Sequence, residues 1–460
     1  MYDLIVKNGI LVLPEGPVTG SILVKDGTIV SITTDTVHEE AARTIDASGC
    51  YVLPGAIDPH SHLNDPGYTE SEDFLTGTRS AAAGGFTTVL EMPISNPIPS
   101  SYELLKMKKE ILEQKAVIDF GLWGSLINGN EKELPGIAEF GAVGVKAFLT
   151  EDPLYPAVNW GLIVQYMPWL ERSGLLFALH CETPEINDAF LASLVQQQMN
   201  DPRCYSDSRP PISELVAVNT FAFLAKQYPK CRFYLVHASL AGSVDLSLAA
   251  RAQGGQIYVE TCPHYLAMTQ QDLTRYGPFA VCNPPLRPKE EQDALWERML
   301  AGKIDCIGSD HAPFLYAEKC QGKDRIWDAP PGFTGIQTCY PLLFQEAVQK
   351  RGMSVEQFAA VTSTNTAKLF GLYPQKGSLM VGTDADITVL DPNRIWTVAK
   401  EDLFYKEPWS PFIGWDISCK VASTVVRGNV VYDGSSVCVP AGFGQFIRPG
   451  DAQASHSSGR

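Results

Sequence analysis

Hydrophobic positions along this chain follow two rhythms. From residue 1 to about 50, and again from about 375 to 447, short β-branched runs are broken by glycine turns. Ser21-Ile22-Leu23-Val24, Ile29-Val30, Ile387-Thr388-Val389-Leu390 and Ser423-Thr424-Val425-Val426 are such runs, and Lys25-Asp26-Gly27 and Arg427-Gly428-Asn429 are such turns. This pattern predicts antiparallel strands, here a β-sandwich built from both termini. Between them, over residues 51–374, apolar runs of four to eight residues alternate with helical patterns. That alternation predicts βα units and a parallel sheet. Strands are expected at 52–58, 86–92, 117–126, 143–149, 175–182, 232–239, 257–264 and 305–311. Eight sequential units favour closure into a (β/α)8 barrel, although a doubly wound open sheet would produce the same alternation. The helix after the second strand shows Ser100-x-x-Glu103 as a capping box, with Leu104, Leu105, Met107, Ile111 and Leu112 at helical spacing.

The segment from Pro153 to Leu170 has no charge, but its three prolines with Asn159 and Gln165 suit a covering loop and a buried helix better than a membrane span. The N-terminal stretch Met1-Tyr2-Asp3-Leu4-Ile5-Val6-Lys7 carries charge inside its apolar run and is expected to be a strand, not a signal peptide. Residues 448–460, whose last ten are small and polar, are expected to form a disordered tail.

Composition narrows the function. Of 460 residues 45% are hydrophobic and 19% charged, which describes a globular chain with a large core. Thirty-six Lys and Arg against 52 Asp and Glu give a net charge of −16, with no cluster of basic residues. Nucleic acid and membrane surfaces are therefore not expected partners, and a small-molecule substrate is. Eleven scattered cysteines, with no CxxC, argue against a disulfide framework and a thiolate zinc site, and imply a reducing, cytoplasmic compartment.

Candidate chemistry sits at strand ends. His60 and His62 follow the apolar run 52–57 at i and i+2, the spacing that sends both imidazoles to one side of an extended strand. His180 ends Leu175-Leu176-Phe177-Ala178-Leu179, His237 ends Phe233-Tyr234-Leu235-Val236, and Asp310 follows Ile307-Gly308-Ser309. In a barrel the C-terminal strand ends share one mouth, so these five side chains would converge from strands one, five, six and eight. Lys146, inside Gly144-Val145-Lys146-Ala147-Phe148-Leu149, is the least expected residue. A buried ammonium must lose its charge, find a partner or be modified, unless the side chain snorkels past a strand edge. On strand four, between the histidines, it can react with CO2 to form a carbamate and so bridge two cations.

Four motifs carry a wider resemblance: Pro54-Gly55-Ala56-Ile57-Asp58-Pro59-His60-Ser61-His62-Leu63, Glu260-Thr261-Cys262-Pro263-His264-Tyr265, Asn283-Pro284-Pro285-Leu286-Arg287 and Gly308-Ser309-Asp310-His311-Ala312-Pro313. Together they resemble the cyclic amidohydrolases of the amidohydrolase superfamily, over nearly the whole chain from about residue 3 to 447. The resemblance implies a two-metal site, commonly zinc, held by His60, His62, Lys146 as its carbamate, His180, His237 and Asp310, with Asp310 also moving the proton. It also implies a homotetramer. Relatives of this fold that serve as assembly proteins have lost their metal ligands; here every such position is occupied, which argues for an enzyme.

Departures from the family patterns bear on the ring. Dihydroorotases of this type carry an Arg two residues after the second His to hold a carboxylate, where this chain has Asn64. Dihydropyrimidinases and D-hydantoinases carry a Tyr five residues after the bridging Lys, where this chain has Glu151; Tyr155 could substitute from the loop. The remaining pattern resembles allantoinases and L-hydantoinases, with allantoinase ahead. Asn64, Met92, Asn283 and Gln337 are the candidate contacts to a neutral five-membered ring.

Overall fold

The computed structural model describes residues 1–152 and 154–450. The expected disordered tail falls, for 451–460, outside the described residues, and so does Pro153 at the start of the uncharged segment. Residues 448–450 are packed against the barrel, with Gly450 N donating to Gly371 O at 2.9 Å.

The chain opens with β1 (Tyr2–Leu13), β2 (Gly16–Lys25), β3 (Thr28–Thr33), β4 (Ala41–Asp46) and β5 (Tyr51–Pro54). β1 pairs antiparallel with β2. Its other edge is shared, because the first half pairs parallel with β4 and the second half with β5. The barrel follows as β6 (Ala56–Ser61), β7 (Phe86–Glu91), β8 (Asp119–Ser125), β9 (Gly144–Phe148), β10 (Leu176–His180), β11 (Arg232–Leu235), β12 (Gln256–Thr261) and β13 (Cys306–Ile307). These eight strands lie side by side in chain order and all pairs are parallel. Closure comes beyond the last strand: Ser61 bridges His311 in parallel, His62 N donates to His311 O at 2.8 Å, and Asp310 N donates to His60 O at 2.9 Å. The fold is a (β/α)8 barrel, and the doubly wound alternative is excluded by this strand order.

After the barrel, β14 (Ile387–Asp391) pairs antiparallel with β5, and a two-stranded ribbon of β15 (Trp396–Thr397) and β16 (Asp416–Ile417) follows. β17 (Lys420–Val426) then pairs with β14, and β18 (Asn429–Tyr432) with β17. Both chain ends therefore build one sheet, the β-sandwich module, around Leu4, Val6, Leu11, Ile22, Val52, Ile387, Val389 and Val425.

Two local expectations are corrected. The run expected as one barrel strand at 52–58 is two elements. Tyr51–Pro54 belongs to the terminal sheet, and the barrel strand starts at Ala56. Gly55 separates them because the chain passes against Thr87, whose side chain lies 2.2 Å from where a Cβ on Gly55 would sit. The helix after β7 spans Tyr102–Leu112, and its cap is Ser101, accepting from Leu104 N, in place of a Ser100–Glu103 box. In the uncharged segment, a helix at Trp160–Ser173 buries Ile163, Tyr166, Met167 and Leu170. Among the described residues no helix is long and apolar enough to cross a membrane.

A buried ionic cluster joins the modules. Lys376 Nζ lies 2.6 Å from Asp119 at the start of β8, 2.9 Å from Asp384 and 2.7 Å from Asp386, and Arg427 pairs with Asp119 from beyond β17. The three carboxylates come close enough to hold a cation. The lysine ammonium already fills that role. Lys376→Met should leave buried carboxylates unpaired and destabilise the protein by about 3–5 kcal/mol. Chemical denaturation checks this, and a change below about 1 kcal/mol would contradict it.

Candidate metal centre at the barrel mouth

Closure of the barrel brings its first and last strand ends together. His60 Nε2 lies 3.2 Å from Asp310 Oδ1, and His62 Nε2 lies 3.5 Å from the same oxygen. From β10 and the turn after β11, His180 Nδ1 and His237 Nε2 approach to 3.0 Å. The two pairs adjoin, since the His60 and His237 rings are 5.4 Å apart. Lys146 on β9 is fully buried, its Nζ 4.7 Å from the Phe148 ring centre and without a hydrogen-bond partner among the described residues. Its charge would act on His62, His180 and His237 alike.

Backbone conformation contributes to the aim of these side chains. His237 and Asp310 adopt φ of +39° and +47°, the left-handed region that side chains other than glycine rarely occupy. Both lie just past short strands, so β11 and β13 end before the expected 239 and 311 and the chain turns to deliver each side chain into the mouth. Strain of this kind is held by the surrounding packing and clusters at functional sites.

Burial dominates the electrostatics. It pushes the imidazole of His62 down to about 4 and that of His237 well below its ordinary value, so both are neutral at physiological pH. Burial also lowers Lys146 to about 8, which makes a neutral amine accessible. For Asp310 burial works in the other direction, and the His60 charge with the His62 hydrogen bond outweighs it, holding the carboxyl well below the usual range.

Carboxylates behind the imidazoles orient them. Glu260 on β12 accepts from His60 Nδ1 at 2.7 Å, from His237 N at 2.9 Å and from the Tyr234 hydroxyl at 2.6 Å. Glu182 accepts from His180 Nε2 at 2.8 Å. Asp58 accepts from Ser309 N at 2.9 Å and Ser309 Oγ at 2.5 Å, tying β6 to the loop that carries Asp310. Sequence reasoning passed over these three acids. The signal was available, because Glu260 in Ile257-Tyr258-Val259-Glu260 and Asp58 after Ile57 are charged residues inside apolar runs, as Lys146 is.

The four expected ring contacts divide. Met92 is fully buried among Ile57, Leu90 and Trp123 in the barrel interior. Gln337 uses its side-chain amide to donate to Asp402 O at 2.7 Å and to accept from Phe404 N at 2.8 Å. It is a fastener, because both ends of its amide are already used. Asn64, at φ of +60°, donates to Ser71 Oγ at 2.9 Å and Pro313 O at 3.1 Å, so its donors are spent on securing this loop. Asn283 is half-buried and accepts from the Tyr205 hydroxyl at 2.8 Å. Glu151 is exposed, whereas Tyr155 is buried with its ring 4.9 Å from Phe148 and its hydroxyl donating to Lys146 O at 3.1 Å.

A (β/α)8 barrel that gathers four imidazoles, an ionised carboxylate and a buried lysine at its C-terminal mouth, beside a sandwich of both termini, defines a barrel enzyme. The model of the amidohydrolase family matches residues 51–149 and 228–431, and the chain belongs to that family. It is 37% identical over 453 residues to an allantoinase of Rubrobacter xylanophilus, covering 97% of this chain and 98% of the relative. An allantoinase of Escherichia coli is 35% identical over 454 residues, with 97% and 98% covered. Among solved structures, the L-hydantoinase (dihydropyrimidinase) of Arthrobacter aurescens superposes with a TM-score of 0.94 at 35% identity, covering 97% of this chain and all of that one. The dihydropyrimidinase of Brevibacillus agri gives 0.90 at 31% identity, covering 98% and 99%. The protein is an enzyme of the cyclic amide hydrolase class.

Proposed function

We propose that the protein opens the ring amide of a five-membered cyclic ureide, allantoin to allantoate, with the help of two divalent metal ions, zinc being the expected one. The carrying observation is the convergence of His60, His62, His180, His237, Asp310 and the unpartnered Lys146 on one buried mouth in a chain 35–37% identical to allantoinases over full length. The donor set fits such ions. Neutral imidazole nitrogens face one another at 3.0 Å, an ionised carboxylate stands beside them, and Nζ of Lys146 is a buried polar atom with nothing to bond. His60, His62, His180, His237 and Asp310 would hold the ions. Lys146, with its lowered pKa, would add to CO2 as the neutral amine, release one proton and become an anionic carbamate bridging them. When bound, such ions supply an activated water and polarise a carbonyl.

The chain's own groups do the rest. Asp310, ionised at neutral pH, takes the proton of the attacking water and passes it to the departing ring nitrogen. Glu260 keeps His60 and His237 in register while this happens, since it holds the ring of one and the backbone of the other. Asn283 remains the candidate contact to the ring. L-hydantoinase is the alternative reading, favoured by the superposition on the Arthrobacter enzyme.

The homo-oligomer, expected as a tetramer, is also part of this reading. Phe190 on the helix Pro184–Gln196 and Ile212, Val216 and Phe223 on the helix Pro211–Gln227 are 46%, 50%, 40% and 52% exposed, and the two helices touch. An apolar surface of this kind fits a second copy of the chain.

Elemental analysis should find about two divalent ions per chain, and His60→Ala or His237→Ala should lose metal and activity together. Lys146→Ala should bind metal poorly and regain part of its activity with added short-chain carboxylic acids. A plain amine at Lys146 in active, metal-loaded enzyme, read by intact mass or density, would overturn the bridge.

In a substrate panel, allantoin should exceed 5-benzylhydantoin in kcat/KM by about tenfold or more, because a site with donors for a ureido chain leaves them unmatched by a benzyl group. Dihydroorotate and dihydrouracil should be poor. The reverse order for the first pair would move the assignment to L-hydantoinase.

Sedimentation should show an oligomer, and Ile212→Glu with Phe223→Glu should yield a smaller species. A wild-type monomer would contradict the tetramer.

A further inference from the structure

His180 is held from behind by a chain of charges. Glu182, two residues beyond it, is fully buried, and its Oε2 lies 2.8 Å from His180 Nε2 and 2.5 Å from Arg209 Nη1. Arg209 is fixed in turn, because its backbone carbonyl accepts from Arg287 Nη1 at 2.7 Å. Arg287 Nη2 then reaches the buried Glu214 at 3.1 Å. The run therefore passes from the barrel mouth through two acid–arginine pairs into the layer behind β10 and β11.

This arrangement decides which nitrogen of His180 faces the mouth. A carboxylate paired with an arginine has only lone pairs to offer, so the hydrogen in the His180–Glu182 contact belongs to Nε2. Nδ1 is then bare, and it points at His237 Nε2. The His237 ring has no such support, since Glu260 holds only its backbone N and its Nδ1 has no hydrogen-bond partner among the described residues. The other pair is oriented differently, through Glu260 behind His60. The rings of His180 and His60 thus depend on two separate carboxylates, and of these only Glu182 is paired with an arginine among the described residues.

We infer that Glu182, braced by Arg209, is a positioning residue that makes Nδ1 of His180 its ligand nitrogen, so that one of the two ion positions depends on this pair and the other does not. The inference rests on the two-ion reading given above. Its sign follows from geometry. Without the acceptor the ring is free to turn about its bond and to carry its proton on either nitrogen, and the His180–His237 position loses its preset donor. The His60–His62–Asp310 position keeps all its supports.

The test uses the full-length protein in two arms. In the first, metal-stripped protein labelled in its histidine nitrogens is observed by NMR. Wild type should show His180 as a single Nε2–H tautomer, and Glu182→Gln and Arg209→Met should broaden or split that signal. In the second, zinc alone is titrated. Wild type should take two ions, and both variants should bind one as wild type does and the other about 10–100-fold more weakly. Arg209→Lys, which keeps the charge, should recover most of the loss. With allantoin, kcat should fall more than KM rises.

An Nδ1–H tautomer in the wild type would overturn the inference whether or not any variant folds. So would unchanged binding of both ions in folded Glu182→Gln. A wild type that binds fewer than two ions would instead sink the two-ion reading, while the tautomer arm would still decide the role of Glu182.

Discussion

Closure of the barrel is the constraint on which the site depends. Eight strands in chain order place the first beside the last, and the backbone bonds His62 N to His311 O and Asp310 N to His60 O make that seam. The residues forming the seam are themselves the candidate metal-site residues or their immediate neighbours. His60, His62 and Asp310, about 250 residues apart in the chain, therefore meet through the same bonds that complete the fold. Fold and chemistry share one set of contacts here, so neither can be loosened without the other.

Glu260 extends this logic inward. One buried carboxylate takes donors from a ring on β6, a backbone amide after β11 and a tyrosine on β11, while sitting on β12 itself. A buried carboxylate that takes three donors is held rigidly, and a rigid acceptor fixes the direction of each donor. Both histidines attached to it are then preset. Asp58 plays the corresponding part for the Asp310 loop through Ser309. The strained backbone at His237 and Asp310 persists because these contacts over-determine it.

Much of this architecture was legible in the chain itself. Short β-branched runs with glycine turns differ from apolar strands with helical spacers, and the two rhythms separate the sandwich from the barrel. Imidazoles at strand ends were visible because each follows an apolar run, and Lys146 because it interrupts one. The join at Gly55 was marked only by the Pro54-Gly55 pair inside an apolar run, and the approach of Thr87 explains why a glycine stands there. The partners of the Gln337 amide, Asp402 and Phe404, lie more than sixty residues away and nothing local announces them. Asn64 showed where an arginine is missing, but not that its amide is spent on Ser71 and Pro313. The tautomer of a histidine is likewise written in its partner.

The sheet made from both chain ends has a consequence for synthesis. β5 leaves the ribosome early with one edge filled by β1, while its other partner, β14, begins at Ile387. At bacterial or eukaryotic elongation speeds of about 5–20 residues per second, that edge waits roughly 15 to 70 seconds with its hydrogen-bonding groups unmet. An open strand edge is a template for pairing with another nascent chain. The barrel, emerging meanwhile in sequential local units, can fold before the sheet that flanks it is complete. The last strands of this sheet to appear, β17 and β18, then shut it as a clasp, and the amino-terminal fifty residues acquire their full set of neighbours only when more than four hundred residues have been made.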